Sequence, residues 1–319
     1  MLLKITKKKV QEIFAKHNLP SKHNLPFVES LSRIPIGFTN EVYSVNDSFI
    51  LKVCKKKSDE VWFKREVSLY TFFAEKIPVP QVIVFDSSKK IIPHFFMIYH
   101  KIQGENLYTK WHELSDKQRK RIIQELCTIL KVINTTPLPI AKKICFRHVN
   151  ERINWYEERC TQLKRVLHKV MKKKLIDASL AKKIKLFIQK NAVFLHEQKI
   201  SLVYYDVHFD NILVRKNKIV GLLDFEMVNL WSLDYVLTVP YRMISNPKEY
   251  ASKQSENLIC QKDYSNLLLW FQKYYPELFN FKNLKMRLVL YSITTDLKLL
   301  LEFPKSKSLK KRIEKIIES

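Results

Sequence analysis

Glycine is almost missing: 3 residues in 319, where ordinary usage of about 7% would give roughly 22. A chain that avoids glycine this strongly keeps it where a side chain cannot be tolerated, so Gly37, Gly104 and Gly221 should each sit at a tight spot. Acidic residues are also scarce. Lysine and arginine total 57 against 31 aspartate and glutamate, a formal net charge of +26. Such an excess suits RNA, anionic lipid or anionic ligands, although lysines spread over solvated helix faces are the simplest reading. Long apolar runs are lacking. The best candidate, residues 91–99, is short and is interrupted by Pro93 and His94, which excludes a membrane span of about 18 residues. The start, Met1-Leu2-Leu3-Lys4, has no apolar core of a secretory signal. The five cysteines (Cys54, Cys127, Cys145, Cys160, Cys260) are odd in number and scattered, without CxxC or Cys/His metal spacing. They read as free thiols in a reducing cytoplasm, which excludes a disulfide scaffold and a zinc module.

Up to about residue 102 the pattern mixes strands with short helices. A helix is expected over 10–17, a strand–turn–strand over 34–45, and a strand over 48–54 after the turn formers Asn46-Asp47. Residues 59–75 carry helical periodicity, with Trp62, Tyr70 and Phe73 on one stripe. Pro78 and Pro80 end it, and apolar strands follow at 82–85 and 95–99. Beyond Gly104 helices dominate. Ser115-Asp-Lys-Gln118 fits a capping box for a helix to about Asn134, and further helices are expected over 150–172, 177–198, 233–244 (broken at Pro240), 263–274, 284–303 and 308–317. A β-like island, 202–225, interrupts them. The expectation is an α+β chain of two lobes, a β-rich one over residues 1–102 and a helical one over 103–319.

The island carries the chemistry. Its sequence LVYYDVHFDNILV (202–214) is followed by KIVGLLDFE (218–226). Asp206 and Asn211 fall in a loop ahead of one short strand, and Asp224 closes the next. A hairpin brings the two loop ends together. Phosphoryl transfer needs such a convergence: one carboxylate orients the acceptor hydroxyl and takes its proton, while an amide oxygen and a second carboxylate hold Mg²⁺ against the phosphates. Residues 201–237 hold five acids and three basic residues, a local −2 within a chain of +26. The Walker pattern GxxxxGK[ST] is absent, which argues against a P-loop enzyme.

In the strand over 48–54, alternation places Ile50 and Lys52 on one face. Glu66 lies four residues after Trp62 and four before Tyr70, on the apolar stripe of the following helix. A carboxylate there needs a partner, and Lys52 is the expected one.

D-x-x-x-x-N followed by D-F resembles the protein-kinase-like superfamily, and within it the aminoglycoside phosphotransferase and choline kinase branch. That branch writes the loop H-G-D-x-H-P-x-N and then I-D-[FW]-E; here Asp206, His208, Asn211, Asp224, Phe225 and Glu226 are kept, Tyr204-Tyr205 replaces His-Gly, and Phe209 replaces Pro. GFTNEVY at 37–43 resembles the branch's nucleotide-covering G-x-x-N-x-V-Y. The resemblance, over roughly residues 30–240, implies a two-lobed kinase-like fold and ATP-dependent transfer to a hydroxyl of an aminoglycoside, choline, another amino alcohol or a sugar. It implies Asp206 as catalytic base and Asn211 and Asp224 as Mg²⁺ ligands. Lys52 would hold the α/β-phosphates, aligned by Glu66. Gly37 and Thr39 would cover phosphate, Ile50 would lie over adenine, and backbone at Ile98, Tyr99, His100 and Lys101 would bond its edge. Asp234 would brace the catalytic loop, Gly221 would pack against it, and Gly104 would permit the turn between lobes. His208 reads as a histidine satisfied by loop backbone. Trp231, Tyr235, Trp270 and Tyr274 read as helix core, with an aromatic box for a cation as the other use. The alternative from another class is an inactive kinase-fold protein that binds RNA or another anionic partner.

Overall fold

A computed structural model describes residues 5–19, 28–35, 39–252 and 255–318. The first lobe is a five-stranded antiparallel sheet, β1 (Leu31–Ile34), β2 (Asn40–Val45), β3 (Phe49–Cys54), β4 (Val82–Asp86) and β5 (Phe96–His100), in the order β1-β2-β3-β5-β4. Two helices cover it, α1 (Lys7–Lys16) and α2 (Glu60–Phe73). The period-2 alternation of β3 sorts its residues cleanly. Phe49, Leu51 and Val53 join Phe96 and Ile98 in an outer core with Val10, Ile13 and Phe14 of α1, while Ile50 and Cys54 join Met97, Tyr99 and the α2 residues Phe63, Leu69, Tyr70 and Phe73. Lys52 shares the second face.

The second lobe is helical: α3 (Leu107–Trp111), α4 (Asp116–Asn134), α5 (Leu138–Ile144), α6 (Trp155–Lys172), α7 (Ala178–Asn191), α8 (Thr238–Ser245), α9 (Leu267–Tyr274), α10 (Leu284–Glu302) and α11 (Lys307–Glu318). Its β-island forms two small sheets: β6 (Glu105–Asn106) with β8 (Ile212–Arg215) and β9 (Lys218–Leu222), and β7 (Ile200–Val203) with β10 (Asn229–Ser232). The capping box at α4 forms as expected, with Ser115 and Gln118 exchanging bonds. Pro240 does not break a helix. It stands third in α8, within the first turn, where its missing N–H would have had no intrahelical partner. The expected helix over 177–198 ends at Asn191, and its tail becomes a tight turn, Ala192–Leu195.

Gly104 and Gly221 explain how the lobes join. A Cβ on Gly104 would lie 2.7 Å from a Val220 methyl, and one on Gly221 would lie 2.9 Å from Ile102 Cδ1. The linker that leaves β5 therefore runs directly over the β8–β9 hairpin. Space, rather than a turn, demands glycine at 104, and the neighbour that excludes a side chain at 221 is the linker, not the catalytic loop. Gly37 lies outside the described residues.

Candidate active site

Lys52 is the hub. Its ammonium bonds both oxygens of Glu66, at 2.8 and 2.9 Å, and Oδ1 of Asp224 at 2.6 Å. Strand β3, helix α2 and the end of β9 thus meet at one nitrogen, across 172 positions of sequence. Glu66 is fully buried and accepts a third bond from the Tyr70 hydroxyl at 2.8 Å, the pattern of an ionised carboxylate. Burial pushes the Glu66 carboxyl up to about 7 against the pull of Lys52, with Asp224 and Glu226 adding repulsion. Burial also works against the Lys52 charge, but Asp224, Glu66 and Glu226 together hold its pKa well above the ordinary lysine value. Asp224 ends below the usual carboxylate range: burial raises it, while Lys52 and then His208 lower it by more. Its backbone is left-handed, φ 54° and ψ 61°. A non-glycine residue held there stores strain, and aims this carboxylate into the cleft.

The catalytic-loop groups are pinned to the same place. The Leu223 N–H donates to the Asn211 carbonyl at 2.9 Å, which ties the residue before Asp224 to Asn211. The Asn211 amide nitrogen donates to the Asp206 carbonyl at 2.9 Å and to Asp206 Oδ2 at 3.2 Å. Both are acceptors only, so the amide orientation is set and its oxygen points away from Asp206. Tyr204, where the branch has histidine, donates to the Leu223 carbonyl at 2.7 Å and stacks on Phe225 at 4.8 Å. Phe209, where the branch has proline, is buried against Trp111, with ring centres 4.5 Å apart. Both replacements anchor the loop.

Among the described residues no three His, Cys, Asp or Glu side chains converge into a ready metal cage. A carboxylate in the cleft and an amide oxygen make a sparse, hard-oxygen donor set. That fits Mg²⁺, which takes one or two protein carboxylates and completes its shell with water and substrate phosphate.

The structure brings Lys52, Glu66, Asp206, Asn211 and Asp224 together, with Ile50 on the Lys52 face of β3. Thr39 is half-buried immediately before β2. The stretch 98–101 divides. Tyr99 faces the cleft side, edge-on to Tyr70. Ile98 points into the outer core, and His100 stacks on Phe49 at 5.2 Å. Ile98 and Tyr99 lie in the ladder between β3 and β4, while the Lys101 N–H donates to the Ser48 carbonyl at 2.8 Å.

A family model described as the phosphotransferase enzyme family matches residues 30–231. The chain belongs to that family. No curated protein sequence matches it. Similar solved structures include the aminoglycoside phosphotransferase APH(2'')-Ib with ADP, 20% identical over 96% of each chain with a TM-score of 0.67. The gentamicin complex of APH(2'')-IIa is 18% identical over 100% of this chain and 97% of that one, at 0.68. A thermostable mutant of APH(4)-Ia with AMP-PNP and hygromycin B is 15% identical over 98% and 97%, at 0.66. These likenesses establish a two-lobed, kinase-like fold for this phosphotransferase-family chain.

Two assignments change within that frame. Asp234 binds Arg287 at 2.7 Å, with Ser232 and Tyr291 also donating to it, so it ties β10 to α10 rather than bracing the catalytic loop. His208 is held by side chains: its Nε2 lies 3.5 Å from Asp206 Oδ2 and 3.1 Å from the Asn211 amide nitrogen, and its ring stacks on Tyr250. Burial lowers the His208 pKa, but Asp206 and then Asp210 and Asp224 raise it above the usual value. The four aromatics are not one box, because Trp270 packs on Trp111 while Trp231 and Tyr235 gather at Tyr205. Sequence reading missed Asn40, whose amide donates to Glu226 at 2.9 Å. The signal was present, since Asn40 is the N of G-x-x-N-x-V-Y.

Proposed function

We propose that this chain is an ATP-dependent phosphotransferase that moves the γ-phosphoryl group to a hydroxyl of a small molecule. Residues 1–102 would bind nucleotide, and residues 103–319 would carry the catalytic loop and acceptor side. The observation that supports this most is the Lys52 hub: one buried ammonium shared by Glu66 of the first lobe and Asp224 of the second. Solved structures of similar fold hold ADP or AMP-PNP.

Asp206 accepts the proton of the acceptor hydroxyl as its oxygen bonds to the γ-phosphorus; the bond from that phosphorus to the β–γ bridging oxygen breaks, and ADP leaves. Asn211 holds Asp206 in place through its amide nitrogen. Lys52, kept charged by its three carboxylates, neutralises the α/β-phosphates. Mg²⁺, held by Asn211 and Asp224, would add charge neutralisation at the phosphates. Backbone for the adenine edge would come from His100 and from the linker that follows Lys101, since alternation along β5 turns the backbone groups of Tyr99 and Lys101 toward β3, where the Lys101 N–H is taken by Ser48.

The test is ADP release from Mg·ATP by purified protein, with Asp206→Ala alongside. The reading expects turnover to fall by about 10²–10⁴-fold, the usual yield of a positioned base, while ADP affinity holds. Unchanged turnover in that variant would refute the base assignment, and an absence of ATP binding would refute the activity.

A further inference from the structure

The positive charge of the chain is not spread evenly. Residues 155–191 and 305–319 hold 17 basic residues and 5 acidic ones, against 40 and 26 in the rest of the chain. About a sixth of the sequence therefore carries nearly half of the +26. These stretches are the helices α6, α7 and α11 with the turns that lead into α7 and α11. In the fold they form one unit. Helix α7 lies against both α6 and α11, and all three spend their apolar stripes on a common core, with Leu163 and Val170, Ile184 and Ile188, and Leu309 and Ile313.

Amphipathic packing leaves the charged sides outward. Of the 17 basic residues, Arg159 is buried against the rings of Trp155, Tyr235 and Tyr291 without a carboxylate, and Arg312 holds Asp296 and Glu249. Lys310 is half-buried, and the other 14 are exposed. Among those 14 only Lys183 forms an ion pair within the described residues, with Glu318 at 3.5 Å. A surface that serves solubility alone mixes both signs. Here like charges repel along and between neighbouring helices, a cost that a polyanion removes.

Shape narrows the partner. The turn between α6 and α7 borders α11 across a hollow of about 500 Å³, which Lys174 lines from one side and Lys310 from the other. Asp177 and Glu314 line it too, but Asp177 caps α7, accepting from the Leu180 N–H at 2.7 Å. A lipid surface is held by an apolar helix face that inserts into it. These helices have buried theirs, and only Met171 and Leu186 are exposed apolar side chains on them. Single strands are held by successive bases stacked on aromatic rings. No ring of α6, α7 or α11 is exposed, and Phe303, in the turn before α11, stands alone. DNA is read by a single helix set into the wide major groove, whereas these helices lie side by side as a broad face. Double-stranded RNA presents a wide, shallow minor groove between rows of phosphate, recognised by shape and charge rather than by sequence. Lysine suits that task, as a point charge on a flexible stem.

We infer that the face formed by α6, α7 and α11 is a docking surface for double-stranded RNA, with Lys174 and Lys310 set on its phosphates. The inference does not rest on the phosphotransferase reading, because no residue of the proposed reaction lies on this face.

The experiment titrates the full chain into a labelled RNA duplex of about 16 base pairs and reads fluorescence anisotropy between about 50 and 200 mM salt. The expected result is binding that weakens steeply, with log K falling by about 0.9 per phosphate contact for each tenfold rise in salt. Lys174→Glu with Lys310→Glu lowers affinity about tenfold or more and reduces the slope by about 2. Lys90→Glu with Lys117→Glu makes the same change of charge on exposed side chains outside the face, and affinity stays within about twofold. Circular dichroism melting shows whether each pair folds. Should the Lys174 and Lys310 pair melt early, Lys173→Ala with Lys311→Ala, both fully exposed, reduces the slope by about 2 in its place. Equal losses in the two charge-reversed pairs would overturn the inference, because net charge alone would then act. So would tighter binding to a DNA duplex of the same sequence, to single-stranded RNA or to phosphatidylserine vesicles, and so would no RNA binding at the lowest salt.

Discussion

The Asn40 amide reaches across the cleft to Glu226 and bonds it at 2.9 Å. Asn40 opens β2, within the segment expected to cover the nucleotide, and Glu226 lies two residues past Asp224. The bond therefore clasps the rim of one lobe to the turn that carries Asp224 in the other. A hydrogen bond to a charged group contributes about 1.5–3 kcal/mol, and 1.4 kcal/mol is a factor of ten in affinity. Asn40→Ala should weaken ADP binding by about tenfold, read by calorimetric titration. Unchanged affinity would show that the clasp has no part in holding nucleotide.

Glu66 positions Lys52 and touches no substrate in the proposed reaction. Removing its charge leaves Lys52 tied to Asp224 alone, so the ammonium shifts toward the second lobe. Misplacement on the order of 1 Å costs about 100-fold in rate. Glu66→Gln should therefore lower kcat by about 100-fold, while Glu66→Asp recovers part of it. Steady-state kinetics separate this from a plain loss of folding, which circular dichroism melting would reveal.

The Asp234–Arg287 pair is fully buried on both sides. Arg287 also donates to the carbonyls of Phe194 and Glu197, at 2.5 and 2.6 Å, so a single side chain closes three segments. Removing one partner leaves an uncompensated buried charge, at about 3–5 kcal/mol. Urea unfolding of Arg287→Met should show a loss of about that size, and Asp234→Leu with Arg287→Met should lose less than the sum of the two single changes. Additive losses would mean that the two residues act separately.

Acid should loosen the first lobe through Asp86. Burial raises this carboxyl, but Lys16 and Ser88 outweigh it and bring it to about 2 from 3.8. A depressed folded pKa means that stability is complete above pH 3.8 and drains as pH falls towards 2. The Lys16 bond, at 2.8 Å, fastens α1 to β4, so α1 should detach first in that window. Asp86→Asn should flatten the stability curve between pH 4 and 2, and an unchanged slope would exclude this carboxylate as its source.

Much of the site was legible because its parts are short and local. Spacing set Asp206, Asn211 and Asp224 on two loop ends of one hairpin, and alternation with helical periodicity paired Lys52 with Glu66. What failed was reading that depended on distant neighbours. Asp234 looked like a loop brace because its position in sequence allowed it, yet Arg287, 53 residues later, claims it. His208 looked like a loop histidine, but the fold presents it with Asp206 and Tyr250. Pro240 read as a break, and the start of α8 there makes it harmless.

Sequence by itself determined the alternation of β3, the stripe of α2, the cap of α4 and the three chemical groups of the loops, because these follow from periodicities of two and 3.6 residues and from bonds a few residues apart. Only the tertiary structure decided which charges found partners. Arg287 was neutralised and Arg159 was not, although both are arginines on amphipathic helices; the difference is which carboxylate the packing of α6 and α10 brought within reach, and Coulomb attraction in a buried site is settled by distance through space, not along the chain.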